Sequence, residues 1–441
     1  MWDPIPPTTW KRPIGRLCSM DFGYDARTLD LRKQLLTFMD EKIYPAEAVY
    51  AEQVEAAAAA GRQWERVPVT ADLKAEALDR GLWNLFLTGK SAQAVGQFAP
   101  DLVPDPPLTN VQYAALAEIT GWSPALAPEA LNCAAPDTGN MEVLAEFGSP
   151  EQQDQWLRPL LEGRIRSAFC MTEPDVASSD ATNIATTITA DGDGYVINGR
   201  KWWSSGAMSS DCEIFIVMGV SGEAAPGERG HNRHSQILVP KDTPGVTVKR
   251  GMMVFGFNDG THGGHAEVVF DNVRVPRANM IAGEGMGFAI AQARLGPGRI
   301  HHCMRQIGAA ERALELLCRR ATSRVAFGKT LAEQGVIQDW IAESRVRIEQ
   351  ARLLVLKTAW LMDTVGNKGA HSEIQAIKII TPRMAQWVID KAIQAHGAGG
   401  ISQDFPLAHL WASARTLRFA DGPDEVHKRS LARRELRKIT G

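Results

Sequence analysis

Several groups of residues in this sequence have types and spacings suited to chemistry. Near the C-terminus, Ala420-Asp421-Gly422-Pro423-Asp424-Glu425 carries three carboxylates within five positions. Such groups take protons when burial raises their pKa, and otherwise cap a helix or face water. The stretch from Ala168 to Gly206 begins with Phe169-Cys170-Met171-Thr172-Glu173-Pro174, an extended segment ended by proline. The small and hydroxylated residues after it leave backbone N–H groups accessible to a polar ligand. The stretch continues through Tyr195-Val196-Ile197-Asn198-Gly199-Arg200-Lys201-Trp202-Trp203, where Asn198-Gly199 predicts a hairpin turn, and closes on Ser204-Ser205-Gly206. Taken alone, the Trp pair reads as core packing.

Two further segments are distinctive in composition. In Arg324-Val325-Ala326-Phe327-Gly328-Lys329 the guanidinium offers a fixed donor fork, and in Gln394-Ala395-His396-Gly397-Ala398-Gly399-Gly400 small residues follow a helical pattern. Glycine after a helix is an ordinary C-cap. His262-x-x-His265 has ligand-like spacing but lies in a glycine-rich segment without an accompanying cysteine or carboxylate, and His301-His302-Cys303 cannot all face one way on a helix. No metal site is expected.

The elements that must position these residues show in the periodicity. After a proline-rich arm to about residue 25, Asp25 stands as a helix cap, and Leu31, Leu35, Phe38 and Met39 recur at helical spacing. Residues 47–60 are rich in alanine and glutamate, Pro45 predicts a break, and further helices are expected over 70–80, 110–120 and 140–147. Loops are expected over 88–107 and 148–150, with Ser149, Glu151 and Gln152 as a helix start signal and Gly163 as a stop. From about 164 to 283 the pattern alternates in short β-branched runs around Ile214, Ile237, Val246 and Val268, with 219–234 as an exposed insertion-like loop. Long helical patterns follow, through 365 and again over 371–396. The expected fold class is α+β: an N-terminal arm and helical domain over 1–163, a central small β-barrel or sheet domain over 164–284, and a C-terminal helical bundle over 285–441.

Bulk properties narrow the function. A chain of 441 residues, 44% hydrophobic, can bury a large core divided into two or three domains. A net charge of −3 gives no reason to expect nucleic acid or an anionic membrane as partner, and the basic run 428–438 reads as a solvated helix face. Six scattered cysteines without a Cys-x-x-Cys pair read as buried thiols in a reducing compartment, which makes the cytoplasm the default location. The first residues lack the apolar core of a signal peptide, and no uninterrupted apolar run of about 18 residues marks a membrane span.

The order Met171-Thr172-Glu173-Pro174, Ser179-Asp180, Asn198-Gly199 and Trp203-x-Ser205 resembles the acyl-CoA dehydrogenase superfamily, in which such segments hold the isoalloxazine of FAD. Asp175-Val176-Ala177-Ser178 is one residue longer than the commoner Gly-Ala-Gly, a pattern closest to the branch of acyl-CoA dehydrogenase family members ten and eleven. Segment 140–163, Val273-Arg274-Val275-Pro276 and the run Gly283 to Phe288 extend the likeness, which covers roughly 30–437. It implies the family's three-part fold with a C-terminal four-helix bundle, FAD as cofactor, and α,β-dehydrogenation of an acyl-CoA to a trans-2-enoyl-CoA. It also implies a homodimer or homotetramer, with electron-transfer flavoprotein as acceptor.

Residue by residue, the resemblance puts Asp421 at the position of the base that removes the α-proton. The family has Tyr-Glu-Gly-Thr there, so the base is one methylene shorter, and Pro423 replaces a threonine whose hydroxyl touches FAD. An alternative base position used by some members falls on Gly298, which cannot serve, and Asp424 and Glu425 are neighbouring competitors. Met171 and Thr172 would lie along the flavin, and Trp203 and Ser205 on its other side, Ser205 near N5 or O4. Arg324 and Phe327 would reach the FAD pyrophosphate and adenine of a neighbouring subunit, although Gly335 stands where a glutamine is common. Gln394, Gly397 and Gly422 would approach FAD, Ser179 the pantetheine or phosphate end of CoA, and Arg299 the acyl pocket. The same fold also accommodates a flavin oxidase, nitroalkane-oxidase-like or acyl-CoA oxidase, with oxygen as acceptor. A flavin-free scaffold is the third reading.

Overall fold

The computed structural model describes residues 23–223, 230–260 and 263–440. The proline-rich arm, His262 and the middle of the 219–234 segment lie outside them. The Asp25 carboxylate accepts the Thr28 backbone N–H at 2.7 Å and caps α1 (Ala26–Phe38). Pro45 makes no break. A π turn, Met39–Ile43, leads directly into α2 (Tyr44–Ala59), and the proline falls in its first turn, where a missing N–H costs little. After α3 (Pro68–Asp79) comes α4 (Gly89–Phe98), inside the segment that reads as loop. Glycine and polar residues mask its periodicity, yet Ala92 and Val95 are fully buried. Then follow α5 (Asn110–Thr120), started by a capping box of Thr109 and Gln112, α6 (Ala127–Ala130) and α7 (Asp137–Phe147). A second capping box, Ser149 with Gln152, starts α8 (Pro150–Gln152), and α9 (Arg158–Leu161) ends at Gly163.

Seven strands form one curled sheet: β1 (Arg166–Cys170), β2 (Thr187–Asp191), β3 (Gly194–Ser205), β4 (Cys212–Val220), β5 (His234–Pro240), β6 (Val246–Met252) and β7 (His265–Pro276). Their order is β1-β4-β2-β3-β7-β6, with β5 also on β4. Ile197, Phe215, Val268 and Phe270 lie in its own apolar core. Asn198-Gly199 is not the turn that the dipeptide predicts. β3 runs through it, Asn198 opposite Thr187 and Gly199 opposite Phe270, and the reversal lies at Gly192-Asp193. A Cβ at 199 would sit 2.3 Å from Thr186 Oγ1, so close packing, not chain reversal, demands glycine there.

The remaining chain is helical: α10 (Gly287–Ser323), a small hairpin of β8 (Val325–Ala326) and β9 (Lys329–Thr330), then α11 (Gly335–Gly369), α12 (His371–His396), α13 (Leu407–Thr416) and α14 (Asp424–Thr440). The three long helices pack on one another, α13 and α14 pack against α12, and α10 also crosses α5 and α7. One hydrophobic core therefore joins the N-terminal and C-terminal helices. The turn between α13 and α14 carries Asp421. Among the described residues no helix is long and apolar enough to cross a membrane.

Candidate active site

The Met171–Thr172 segment is fixed from behind by a buried ion pair. Fully buried Lys201, on β3, gives its Nζ to Glu173 Oε1 at 2.8 Å and to the carbonyls of Met171 and Met218 at 2.9 and 2.7 Å. Glu173 also accepts the backbone N–H groups of Ala185 and Thr186 at 2.8 and 2.9 Å. Burial pushes this carboxyl up, but Lys201 and those donors outweigh it and hold it below the usual carboxylate range. The Trp202 N–H donates to the Thr172 carbonyl at 3.0 Å, and the Glu173 N–H donates to Ser178 Oγ at 2.8 Å. Glutamate of the Thr-Glu-Pro run thus serves as an anchor, and the residues before it are free to line a cavity.

Along β3 the register with β7 slips between Lys201 and Ser204. A bulge there re-aims side chains, and Trp203 takes the left-handed conformation (φ +51°) with its indole partly exposed at the cavity wall. Beyond the bulge Ser205 sits opposite His265 on β7, its Oγ 2.8 Å from His265 Nδ1.

Asp421 occupies a left-handed position (φ +55°) in the turn after α13. Arg299 Nε donates to its carbonyl at 3.1 Å, Lys378 Nζ donates to the Leu417 carbonyl four residues earlier, and His427 Nε2 lies 3.0 Å from the Gly422 carbonyl. His302 Nε2 stands 3.6 Å from Asp421 Oδ2. Burial raises the Asp421 carboxyl, yet His302, Arg294, Lys378 and Arg299 together hold it below its ordinary value. A base with a pKa raised by burial is the expectation for this position, and the ring of cations reverses it. At Gly298 a Cβ would lie 3.6 Å from Asp421 Oδ2, so the residue that cannot be a base leaves the space in front of one. The competitors are elsewhere: Asp424 is buried between Arg383 and Arg418, at 3.0 and 2.9 Å, and exposed Glu425 pairs with Lys428.

One cavity of about 1550 Å³ collects these parts. Met171, Thr172, Ser179, Trp203, Ser205, Arg299, Asp421 and Gly422 all line it. Arg324, Phe327, Gln394 and Gly397 do not: the first two belong to the β8–β9 hairpin region, where Phe327 is fully exposed, and the others to the far end of α12. Several lining residues have no site role in the sequence reading. His302 and Arg294 come from α10, and Arg429 with Arg433 project from α14, whose basic run reads as a solvated face. Their i,i+4 spacing was the available signal. Arg294 stacks on Phe169 at 4.2 Å. Flat aromatic and thioether walls, with the polar atoms of Thr172 and Ser205 beside them, fit a planar heteroaromatic ring with a polar edge. The 324–327 and 394–397 segments, which the resemblance assigns to the FAD diphosphate and adenine end, lie outside the cavity of the single chain.

Comparison with known proteins places the chain among its relatives. The family model for the acyl-CoA dehydrogenase middle domain matches residues 168–273, and that for the C-terminal domain matches residues 285–436. A protein of Mycobacterium tuberculosis named as the probable acyl-CoA dehydrogenase FadE2 is 56% identical over 95% of this chain and 97% of its own. Acyl-CoA dehydrogenase family member 11 of Gallus gallus is 54% identical over 90% of this chain, which spans about half (49%) of that longer protein. Among solved structures, a Mycobacterium abscessus protein assigned as an acyl-CoA dehydrogenase is 52% identical, with a TM-score of 0.87 over 95% of this chain and 100% of its own. Butyryl-CoA dehydrogenase of Megasphaera elsdenii superposes with a TM-score of 0.76 at 25% identity, covering 95% and 100%.

Proposed function

The chain belongs to the acyl-CoA dehydrogenase family, on the branch of members ten and eleven, and from that premise we propose that it dehydrogenates an acyl-CoA thioester to the trans-2-enoyl-CoA with Asp421 as the base. The observation that carries this reading is the placement of Asp421 in the cavity walled by Met171, Thr172, Trp203 and Ser205. FAD, when bound, supplies the two-electron acceptor for the hydrogen leaving the β-carbon. Met171, Thr172, Trp203 and Ser205, with Gly422 beside them, would hold its ring. Arg324, Phe327, Gln394 and Gly397 serve the diphosphate and adenine end across a subunit contact, which their distance from the cavity supports and which makes the protein a homodimer or homotetramer.

Asp421 takes the α-proton. Its cationic surroundings keep it ionised, and the same cations strengthen any hydrogen bond at a thioester carbonyl whose α-carbon is losing a proton. Arg299 holds the Asp421 backbone, Ser179 lines the approach, and Arg429 and Arg433 bring positive charge towards CoA phosphates. We assign electron-transfer flavoprotein as the acceptor. Cys133, Cys170, Cys212 and Cys303 are buried and unpaired, which supports a reducing, cytoplasmic setting.

The test is anaerobic titration of the FAD-loaded protein with a panel of acyl-CoAs, with Asp421→Asn in parallel. Flavin bleaching in wild type and none in the variant is expected, and the chain dependence ranks the substrates. A flavin that no thioester reduces, or that a nitroalkane reduces instead, overturns the reading in favour of a nitroalkane-oxidase-like enzyme.

A further inference from the structure

His265 belongs to the one histidine motif that the function above leaves unused, and the structure gives it a place in a chain of hydrogen bonds. Ser205 Oγ lies 2.8 Å from His265 Nδ1, His265 Nε2 lies 3.1 Å from Asp259 Oδ2, and His409 Nε2 lies 2.9 Å from Asp259 Oδ1. Ser205, His265 and Asp259 line the cavity, and the His265 ring centroid is 5.5 Å from that of Trp203. The order serine, imidazole, carboxylate is that of an activated nucleophile. It lacks the rest of a hydrolase: the N–H groups beside Ser205 are used, Gly206 donating to the Gly264 carbonyl at 2.9 Å and Ala207 to the Ser204 carbonyl at 3.3 Å. No oxyanion hole is offered there.

We propose that His265, held by Asp259, is a positioning residue that commits the Ser205 hydroxyl proton to itself and so turns the lone pairs of Ser205 Oγ towards the flavin. Asp259 only accepts, so Nε2 of His265 carries the proton and Nδ1 accepts from Ser205 O–H. An oxygen acceptor facing flavin N5 disfavours the oxidised ring, whose N5 is itself an acceptor, and favours the reduced ring, whose N5 carries hydrogen. The chain therefore makes the cofactor easier to reduce. This rests on the placement of the isoalloxazine against Trp203 and Ser205 proposed above.

The experiment measures the flavin midpoint potential in wild type, Ser205→Ala, His265→Ala, His265→Asn and the Ser205→Ala/His265→Ala double variant. Losing one such polar contact shifts the oxidised-to-reduced ratio about five- to tenfold towards oxidised, or about 20–30 mV for two electrons. Ser205→Ala and His265→Ala each show this shift, and the double variant shows no more than either. His265→Asn, whose amide oxygen takes the place of Nδ1, restores most of it. Additive shifts, or a silent His265→Ala beside an active Ser205→Ala, overturn the proposal. A second measurement needs no cofactor: in the ¹⁵N spectrum of histidine-labelled protein, the imidazole signal lost in His265→Ala shows a protonated Nε2 and a bare Nδ1, and it moves in Ser205→Ala. An Nδ1–H tautomer or an imidazolium at neutral pH overturns it. A protein that binds no FAD refutes the functional reading, while the spectrum still decides the His265 geometry.

Discussion

Replacing Lys201 by methionine tests whether the ion pair behind the Met171–Thr172 wall organises the site. The Lys201 side chain is 0% exposed and that of Glu173 5%, so the substitution leaves a buried carboxylate with two backbone donors and no counter-charge, and removes the donor to two carbonyls. Breaking a buried pair in this way costs about 3–5 kcal/mol. With an unfolding entropy of roughly 2.1 cal/mol/K per residue, a chain of 441 residues loses roughly 1 °C of Tm per kcal/mol, so Lys201→Met lowers Tm by about 3–5 °C if the chain unfolds as one unit. The fall is larger if the sheet region unfolds first. Glu173→Gln costs less, because burial already lowers the Lys201 pKa and the ammonium can shed its proton. Calorimetry of both variants, with FAD affinity by fluorescence titration, measures the effect. A Lys201→Met protein within about 1 °C of wild type and with unchanged FAD affinity would refute the anchoring role.

Three other outcomes follow from the same structure. Because Asp421 is held below its ordinary value of 3.8, its ionised form is favoured by folding, and this contribution to stability is present above that value and lost as pH falls. The acid limb of kcat/KM belonging to Asp421 lies below about pH 4, and Arg294→Gln moves it upward. Burial, reinforced by Glu146 and opposed by Arg294, pushes the Glu142 carboxyl up to about 8, so the fold favours its neutral form. That advantage is full below the unfolded value of 4.5 and lost as pH rises through 8, so Glu142→Gln melts increasingly above wild type between those limits. Gly199→Ala meets Thr186 Oγ1 at 2.3 Å and costs about 1–3 kcal/mol in urea denaturation, more than Gly192→Ala, where nothing lies within 4 Å and only the positive φ opposes a side chain.

Much of the fold was legible because its signals are local. Asp25 and Ser149 cap helices within a few residues, and the change from helical to alternating period marks where the sheet begins. The failures have local signals overridden by packing partners or by the geometry of the adjoining backbone. Asn198-Gly199 has the composition of a turn, but Thr186, packed against it, selects the glycine for its lack of Cβ. Pro45 reads as a breaker until the π turn before it places the proline in the first turn of α2. At the site, the Asp421 position was legible through its motif and Arg299 as an acyl-pocket contact, whereas the packing of Arg294, His302 and Lys378 around Asp421 was not, because Arg294 and His302 lie on α10 and Lys378 on α12, far away in the chain. His265 was visible only as part of a metal-like spacing, and its use depends on Asp259 and His409 meeting across the cavity rim. Arg324 and Phe327 were legible as a motif, and a single chain holds them apart from the cavity that the motif implies.

The most direct measurement of the central claim isolates proton removal from oxidation. An acyl-CoA with sulphur in place of its β-carbon has no β-hydrogen to lose, so exchange of its α-hydrogens with deuterated solvent reports the base alone. The account predicts exchange catalysed by the wild-type FAD-loaded protein, slowed at least about 100-fold in Asp421→Asn and unchanged in Glu425→Gln. Exchange at the wild-type rate in Asp421→Asn would contradict the assignment of Asp421 as the base.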